Sequence, residues 1–176
     1  MPRAYLDEIV RPNLEEFESE VSSIRRANNA ISTLDALAAH LYRWCVSNNP
    51  SEVSGVRDDS HYREKLSERN YHFRLLRDIA KAQKHVHLER GKPEVSKADQ
   101  ITSKALGYGQ GKYGAGRYGG VAQVVVDLDN GGLEYIETIL RHSLILLCHK
   151  AGCRSRAGSH IERHDQAFVC FSRRRK

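Results

Sequence analysis

The stretch NYHFRLLRDIAKAQKHVHLER, residues 70–90, carries the clearest helical pattern in the chain. Its apolar side chains recur every three or four residues, which places them on one side of a helix. The apolar side comprises Leu75, Leu76, Ile79, Ala80, Ala82 and Val86, and the opposite side comprises Arg74, Asp78, Lys81 and His85. Arg74 and Asp78 lie one turn apart and can form an ion pair. The pattern predicts a core helix that ends near Gly91 and Pro93, because glycine permits a left-handed stop and proline cannot continue a helix.

Further helices and two strands surround this stretch. Apolar residues at helical spacing occupy residues 13–28, about 33–47 and 133–148. The central helix either continues from a segment before it as one long helix, or a break near Asn70 divides it from a shorter helix before it. Residues 100–102 and 121–128 favour strands because they are rich in β-branched side chains. Since short connections favour neighbouring antiparallel helices, the sequence predicts a mainly α fold, an antiparallel helical bundle of four to five helices with one β-hairpin.

The amino-acid composition limits which classes of protein the chain can belong to. The chain has 176 residues with 40% hydrophobic and 28% charged side chains, which is typical of one globular domain. It has no run of the roughly 18 apolar residues that span a bilayer, and its first residues, MPRAYLDEIV, lack the layout of a secretory signal. Its four cysteines are too few and too scattered for a disulfide scaffold. We therefore expect a cytoplasmic protein with no membrane partner and no cofactor.

The positive charge is concentrated at the end of the chain. The formal net charge is +6. Residues 151–176 contain seven Lys or Arg against Glu162 and Asp165, which leaves 21 basic and 20 acidic side chains in residues 1–150. We expect a helical domain at residues 1–150, with a hairpin inserted at about residues 95–128, followed by a basic, flexible tail at residues 151–176.

The end of this tail is a candidate contact for nucleic acid. Arg173, Arg174 and Arg175 are consecutive and precede a final lysine. A cluster of this kind can contact phosphates, or an acidic partner, without sequence choice.

A repeat of glycine and tyrosine, LGYGQGKYGAGRYGG at residues 106–120, lies between the predicted strands. It contains the letters GxGxxG twice, but a dinucleotide-binding loop leads into a helix and this one leads into a predicted strand. Tyrosine rings can stack on bases, and interleaved basic side chains can contact phosphates. The candidate residues for RNA or single-stranded DNA are Tyr108, Lys112, Tyr113, Arg117 and Tyr118. The alternative is a hairpin loop whose tyrosines pack back on the helices.

Cysteine and histidine recur at the start of the tail as Cys148, Cys153, His160 and His164, in the pattern C-x4-C-x6-H-x3-H. Thiolate and imidazole are the ligands that zinc prefers. The gap between the two pairs is shorter than the roughly 12 residues of a zinc finger, and Cys148 falls on the apolar side of the last predicted helix. A zinc site and a metal-free tail are the two alternatives.

The polar side of the central helix is similar to the site of HEPN-type ribonucleases, which are helical bundles with an arginine followed four to six residues later by a histidine. In that family the imidazole serves acid–base chemistry and the guanidinium stabilises phosphate charge. Arg77, Asp78 and His85 are of the same kind, although seven residues separate Arg77 from His85. The resemblance implies a metal-independent ribonuclease that uses Arg77 and His85, in a homodimer that brings two copies together. The alternative is a set of solvated surface side chains.

The segment LLRDIAKAQKHVHL at residues 75–88, followed by GYGQGKYGAGRYGG, a valine-rich strand and a closing helix, resembles a family of bacterial proteins. That family has an LLRDxAxAxKH helix and a GYGxGxYGxGxYGG loop. The resemblance covers about residues 33–150 and implies no established activity. The residues at the matching positions are Arg77, Asp78, Lys84 and His85.

Two functions are therefore predicted as alternatives. The first is a cytoplasmic interaction module that contacts RNA, single-stranded DNA or a protein partner through the basic tail and the Tyr-Gly loop. The second is the ribonuclease that uses Arg77 and His85. The sequence leaves open whether the protein is an enzyme.

Overall fold

The computed structural model describes residues 2–89, 91–105 and 120–151. Its first helical stretch consists of α1 (Pro2–Tyr5), a π-helical turn (Leu6–Val10) and α2 (Arg11–Ser19), which follow one another directly. Pro12 stands in the first turn of α2, directly after the π-helical turn, and it has no backbone N–H to donate to that turn. Apolar side chains of this stretch, including Phe17, are buried in the core.

The long helix α3 (Ile24–Asn48) follows a break at residues 20–23. Ser23 caps its N-terminus, because the Ser23 hydroxyl accepts a hydrogen bond from the Arg26 backbone N–H at 3.5 Å. The predicted boundary between residues 28 and 33 was wrong. Ala30 and Ile31 are buried at that point and continue the apolar side of α3.

Two helices, α4 (Asp59–Arg69) and α5 (Tyr71–His85), form in the central part of the chain, so of the two alternatives the break near Asn70 is the one present. The Asn70 side chain caps α5 by accepting a hydrogen bond from the Phe73 N–H at 2.9 Å. The predicted core side of α5 is buried from Leu75 to Ala82. The predicted end was wrong, since the helix stops at His85 and the Val86 side chain is 72% exposed.

A small antiparallel sheet packs beside the helices. Its strands are β1 (Ile101–Lys104), β2 (Gln123–Asp127) and β3 (Leu133–Tyr135), in the order β1-β2-β3. The predicted hairpin of β1 and β2 is present, and β3 is an additional strand. The turn before β3 contains Gly131 at φ +82°, a conformation that glycine adopts without strain. Because β3 continues directly into a helix, its apolar residues were assigned to that helix in the sequence.

The last described helix is α6 (Ile136–Lys150). Helix α3 contacts α2, α4, α5 and α6, and Val124 and Val126 of β2 are buried in the same core. The predicted mainly α fold class is therefore confirmed. In the described part of the chain, no helix is both long and apolar enough to cross a membrane.

Candidate functional site

A cleft of about 690 Å³ opens between α3, α4, α5 and the segment that follows α5. We call it the basic cleft, because its lining includes Arg63, Arg77, Lys81, Lys84, His85 and His87. Two carboxylates, Asp35 and Glu89, also line it. The volume lies in the range of small-molecule sites in proteins, roughly 300–1,000 Å³. With neutral imidazoles, the four Lys and Arg outnumber the two carboxylates, so the cleft favours an anionic ligand.

The floor of the cleft is a buried network of charges. The Asp35 carboxylate accepts a hydrogen bond from Arg63 Nη1 at 2.7 Å through Oδ2, while its Oδ1 lies 3.7 Å from Arg77 Nη1. Arg63 Nη2 also donates to Asp59 Oδ2 at 2.7 Å. Asp35 is only 5% exposed and Arg77 only 7% exposed. Because a buried charge is costly without a partner, this network fixes how α3, α4 and α5 pack together.

Arg77 serves this packing directly. Its Nη2 donates to the Ser60 carbonyl at 3.3 Å and contacts the Ser60 hydroxyl at 3.2 Å. Burial lowers the pKa of the Arg77 guanidinium, Asp35 raises it, and the neighbouring Arg63 lowers it. Much of the Arg77 charge is therefore engaged with the protein itself, so an Arg77→Ala variant would disturb the fold as well as any function.

The two lysines of the cleft are available to a ligand. Lys81 and Lys84 are exposed on α5, and neither forms a hydrogen bond or ion pair with another residue that the structure describes. Burial lowers the pKa of the Lys81 ammonium, and the nearby Arg77 charge lowers it further. An anionic ligand would offset the repulsion between these cations.

The chain leaves α5 through a strained turn. Val86 has φ 62° and ψ −44°, and the His87 N–H donates to the His85 carbonyl at 2.6 Å. This geometry is that of a γ-turn with positive φ, which is rare and strained, and a β-branched residue seldom adopts it. Two hydrogen bonds tie the turn to the next segment, from Ala98 N to Val86 O at 3.0 Å and from Leu88 N to Ser96 O at 2.8 Å. As a result His85 and His87, on either side of Val86, both line the basic cleft.

The strain at Val86 gives a stability prediction. Relief of a strained backbone conformation is worth roughly 1–3 kcal/mol. Glycine loses roughly 0.5–1 kcal/mol through its greater freedom in the unfolded chain. Since the Val86 side chain is mostly exposed, Val86→Gly should raise the free energy of unfolding by about 1 kcal/mol in urea denaturation. Val86→Ala keeps a Cβ, so it should change the free energy of unfolding less. A Val86→Gly variant that is less stable than the unmodified protein would contradict the strain at this residue.

Asp78 lies apart from the other two predicted catalytic residues. Arg77 and His85 both line the basic cleft, and Asp78 does not. Its Oδ2 accepts a hydrogen bond from the Glu94 backbone N–H at 2.9 Å. Burial raises the pKa of the Asp78 carboxyl. The predicted pair with Arg74 is replaced, because Arg74 Nη2 lies 3.3 Å from Glu94 Oε1. Asp78 therefore holds the following segment against α5.

Most residues of the other predicted sites lie outside the described ranges. These are Tyr108, Lys112, Tyr113, Arg117 and Tyr118 of the loop, Arg173, Arg174 and Arg175 of the tail, and Cys153, His160 and His164 of the zinc pattern. Cys148 is described and is buried on α6. Within residues 2–89, 91–105 and 120–151, no group of three or more His, Cys, Asp or Glu could hold a metal ion.

Several cleft residues were not predicted as site residues. Lys84 carries a local signal, since it lies beside Lys81 and His85 on the predicted helix. His87 carries none, because a helix continued through Val86 would place it on the apolar side, and Asp35, Ser60 and Arg63 come from distant segments. Only the spacing of four between Asp59 and Arg63 was visible in the sequence. No protein-family model, no curated protein and no solved structure matches the chain, so the function is inferred from the cleft and the sequence alone.

Proposed function

We propose that the protein binds single-stranded nucleic acid and that the basic cleft takes the phosphate backbone. The observation that carries this proposal is the lining of the cleft, where Lys81 and Lys84 are exposed and unpaired among the described residues. Asp35, the more buried of the two acidic lining residues, is already engaged by Arg63 and Arg77. The positive charge that remains is therefore directed at a ligand.

Phosphate groups suit this charge distribution. Lys and Arg that contact phosphates displace condensed counterions, and this displacement supplies most of the affinity in binding without sequence choice. The cleft has the volume of a small-molecule site, so it would admit a nucleotide or two of a flexible strand rather than a rigid duplex. The tyrosines and basic residues at 106–120, and the basic tail at residues 151–176, supply further stacking and phosphate contacts in this proposal.

Removal of the two free lysines tests the cleft. Each lost phosphate contact makes the salt dependence of single-strand binding shallower by roughly 0.7 in log units. Lys81→Ala/Lys84→Ala should therefore reduce the slope by about 1.4 and the affinity near 0.1 M salt by about 25-fold. The measurement is fluorescence anisotropy of a labelled single-stranded RNA over a range of salt concentrations.

A matched variant controls for overall charge. Arg25 and Lys92 are exposed and do not line the basic cleft, so Arg25→Ala/Lys92→Ala removes the same charge elsewhere. The affinity of this control variant for the RNA should lie within a few-fold of that of the unmodified protein. Equal losses in both double variants would contradict the cleft as the binding site, and absence of binding in the unmodified protein would contradict the proposed function.

A second candidate function is metal-independent RNA cleavage in the same cleft. It is favoured by one observation, that Arg77 and His85 both line the cleft. Eight positions along a helix correspond to a rise of about 12 Å, so Arg77 and His85 line different parts of the cleft. Incubation of labelled single-stranded RNA with the protein in EDTA separates the functions. Shortened RNA indicates a nuclease, and intact but retarded RNA indicates a binding module. RNA that is neither shortened nor retarded favours a protein partner instead.

A further inference from the structure

The turn after α5 presents a pair of histidines. His85 and His87 are both exposed, both line the basic cleft, and only Val86 separates them. Two residues of chain span at most roughly 7 Å, so the two Cα atoms lie within about that distance. Because both side chains also line one cleft, a single bound phosphodiester group can meet both imidazoles.

The fold maintains this pair with a strained backbone. Val86 has positive φ, and hydrogen bonds to Ser96 O and from Ala98 N hold the turn in place. His87 also forms an isolated antiparallel bridge with Lys97. Strain of this kind persists only where the surrounding structure enforces it, and it clusters at functional sites. Its structural effect here is to keep both His85 and His87 in the lining of the cleft.

Three other polar groups near the cleft are engaged by the protein itself. Arg77 is buried, and a guanidinium stays protonated over the ordinary pH range. Asp35 is held between Arg63 and Arg77, and Asp78 is bonded to the Glu94 N–H outside the cleft. Imidazole, by contrast, both accepts and donates a proton near neutral pH.

We propose that His85 and His87 form an acid–base pair that cleaves single-stranded RNA in the basic cleft. This inference rests on the proposed nucleic-acid binding, and it makes His87 rather than Arg77 the partner of His85. The neutral imidazole takes the proton of a ribose 2′-hydroxyl, and the 2′-oxygen attacks the adjacent phosphorus. The protonated imidazole gives its proton to the 5′-oxygen, which leaves as the P–O5′ bond breaks. The products are a 2′,3′-cyclic phosphate and a 5′-hydroxyl, with the two imidazoles in exchanged protonation states.

The free lysines would assist this step. Negative charge accumulates on the phosphoryl oxygens as the 2′-oxygen attacks. Lys81 and Lys84 line the same cleft as the two histidines, and their positive charge would stabilise that transition state.

The test uses a single-stranded DNA that contains one ribonucleotide, with the full-length protein in EDTA. Cleavage should occur only on the 3′ side of the ribonucleotide and should leave a cyclic phosphate and a 5′-hydroxyl. His85→Ala and His87→Ala should each slow cleavage by about 10²- to 10⁴-fold, the usual contribution of a general acid or base. The double variant should be at most a few-fold slower than the slower single variant, because the two groups act as a unit.

Two comparisons separate catalysis from binding and folding. His149→Ala changes an exposed histidine of α6 that does not line the cleft, and it should cleave at the normal rate. Affinity for an uncleavable all-DNA strand should change by no more than a few-fold in both cleft variants. A substrate with sulfur in place of the 5′-oxygen needs no proton on its leaving group, so it should restore the rate of whichever variant lacks the acid.

The outcomes are distinct. Binding without any cleavage of the chimeric strand would overturn this inference and leave the proposed function standing. No binding would overturn both. Cleavage that survives in the double variant, or that falls only in proportion to affinity, would overturn the assignment of the two histidines.

Discussion

Replacement of Asp35 by alanine should lower the free energy of unfolding by roughly 3–5 kcal/mol, because it leaves the buried Arg77 without its carboxylate. Asp35 accepts a hydrogen bond from Arg63 at 2.7 Å and lies 3.7 Å from Arg77, and it is 5% exposed. Since small proteins are stable by only about 5–15 kcal/mol, this loss would be a large part of the total. Urea denaturation of Asp35→Ala beside the unmodified protein measures it.

Asp59 provides the matched control. It contacts the same arginine, Arg63, also at 2.7 Å, but its side chain is 34% exposed and the pair lies on one helix. Such exposed pairs are worth roughly 0–1 kcal/mol, so Asp59→Ala should cost little. If Asp35→Ala and Asp59→Ala lowered the free energy of unfolding by similar amounts, burial would not explain the importance of the Asp35 pair.

A compensated variant separates charge from packing. In Asp35→Leu/Arg63→Leu/Arg77→Met all three charges are replaced by apolar groups of similar size. Because an apolar replacement of a buried ion network is often neutral or stabilising, this variant should recover most of the lost stability. Failure to recover it would show that the Ser60 contacts of Arg77, rather than its charge pairing, hold the helices together.

The core side of α5 could be predicted because it depends on local spacing. Leu75, Leu76, Ile79 and Ala82 recur at helical intervals, and all four are fully buried. The same spacing failed at Val86, where long-range hydrogen bonds to Ser96 and from Ala98 turn the chain out of the helix. The bond from Leu88 to Ser96 spans eight positions and the bond from Ala98 to Val86 spans twelve, so the local spacing of apolar residues does not predict the turn.

The candidate site shows the same division between local and long-range information. Lys81 and His85 were visible because they share one side of a helix. The pairing of Asp35 with Arg63 joins residues 28 positions apart, and neither residue type nor spacing indicates that pairing. Arg77 was predicted from the sequence as a residue that faces a substrate. In the structure its charge also holds α5 against α3 and α4.

Truncation after Ala151 should give the largest loss of nucleic-acid affinity. It removes no residue of the described helices and strands. It does remove all seven Lys and Arg of residues 151–176. If three of these contact phosphates, the salt dependence becomes shallower by about 2 log units, and the affinity near 0.1 M salt falls by about 100-fold. Anisotropy titrations of labelled single-stranded RNA at several salt concentrations measure both quantities.

The truncation also removes Cys153, His160 and His164, so a loss of affinity has two explanations, charge and zinc. Arg173→Gln/Arg174→Gln/Arg175→Gln keeps those three residues and removes only charge, and it should account for most of the change in slope. Cys153→Ser keeps every charge and should bind normally if the tail acts through phosphate contacts alone. Two results together would contradict the electrostatic role of the tail. These are a loss of RNA affinity in Cys153→Ser that added zinc ions do not reverse, and an unchanged salt-dependence slope in the triple arginine variant. Because a thiolate ligand contributes to metal affinity but not to counterion release, the slope distinguishes the two explanations even where the affinities are alike.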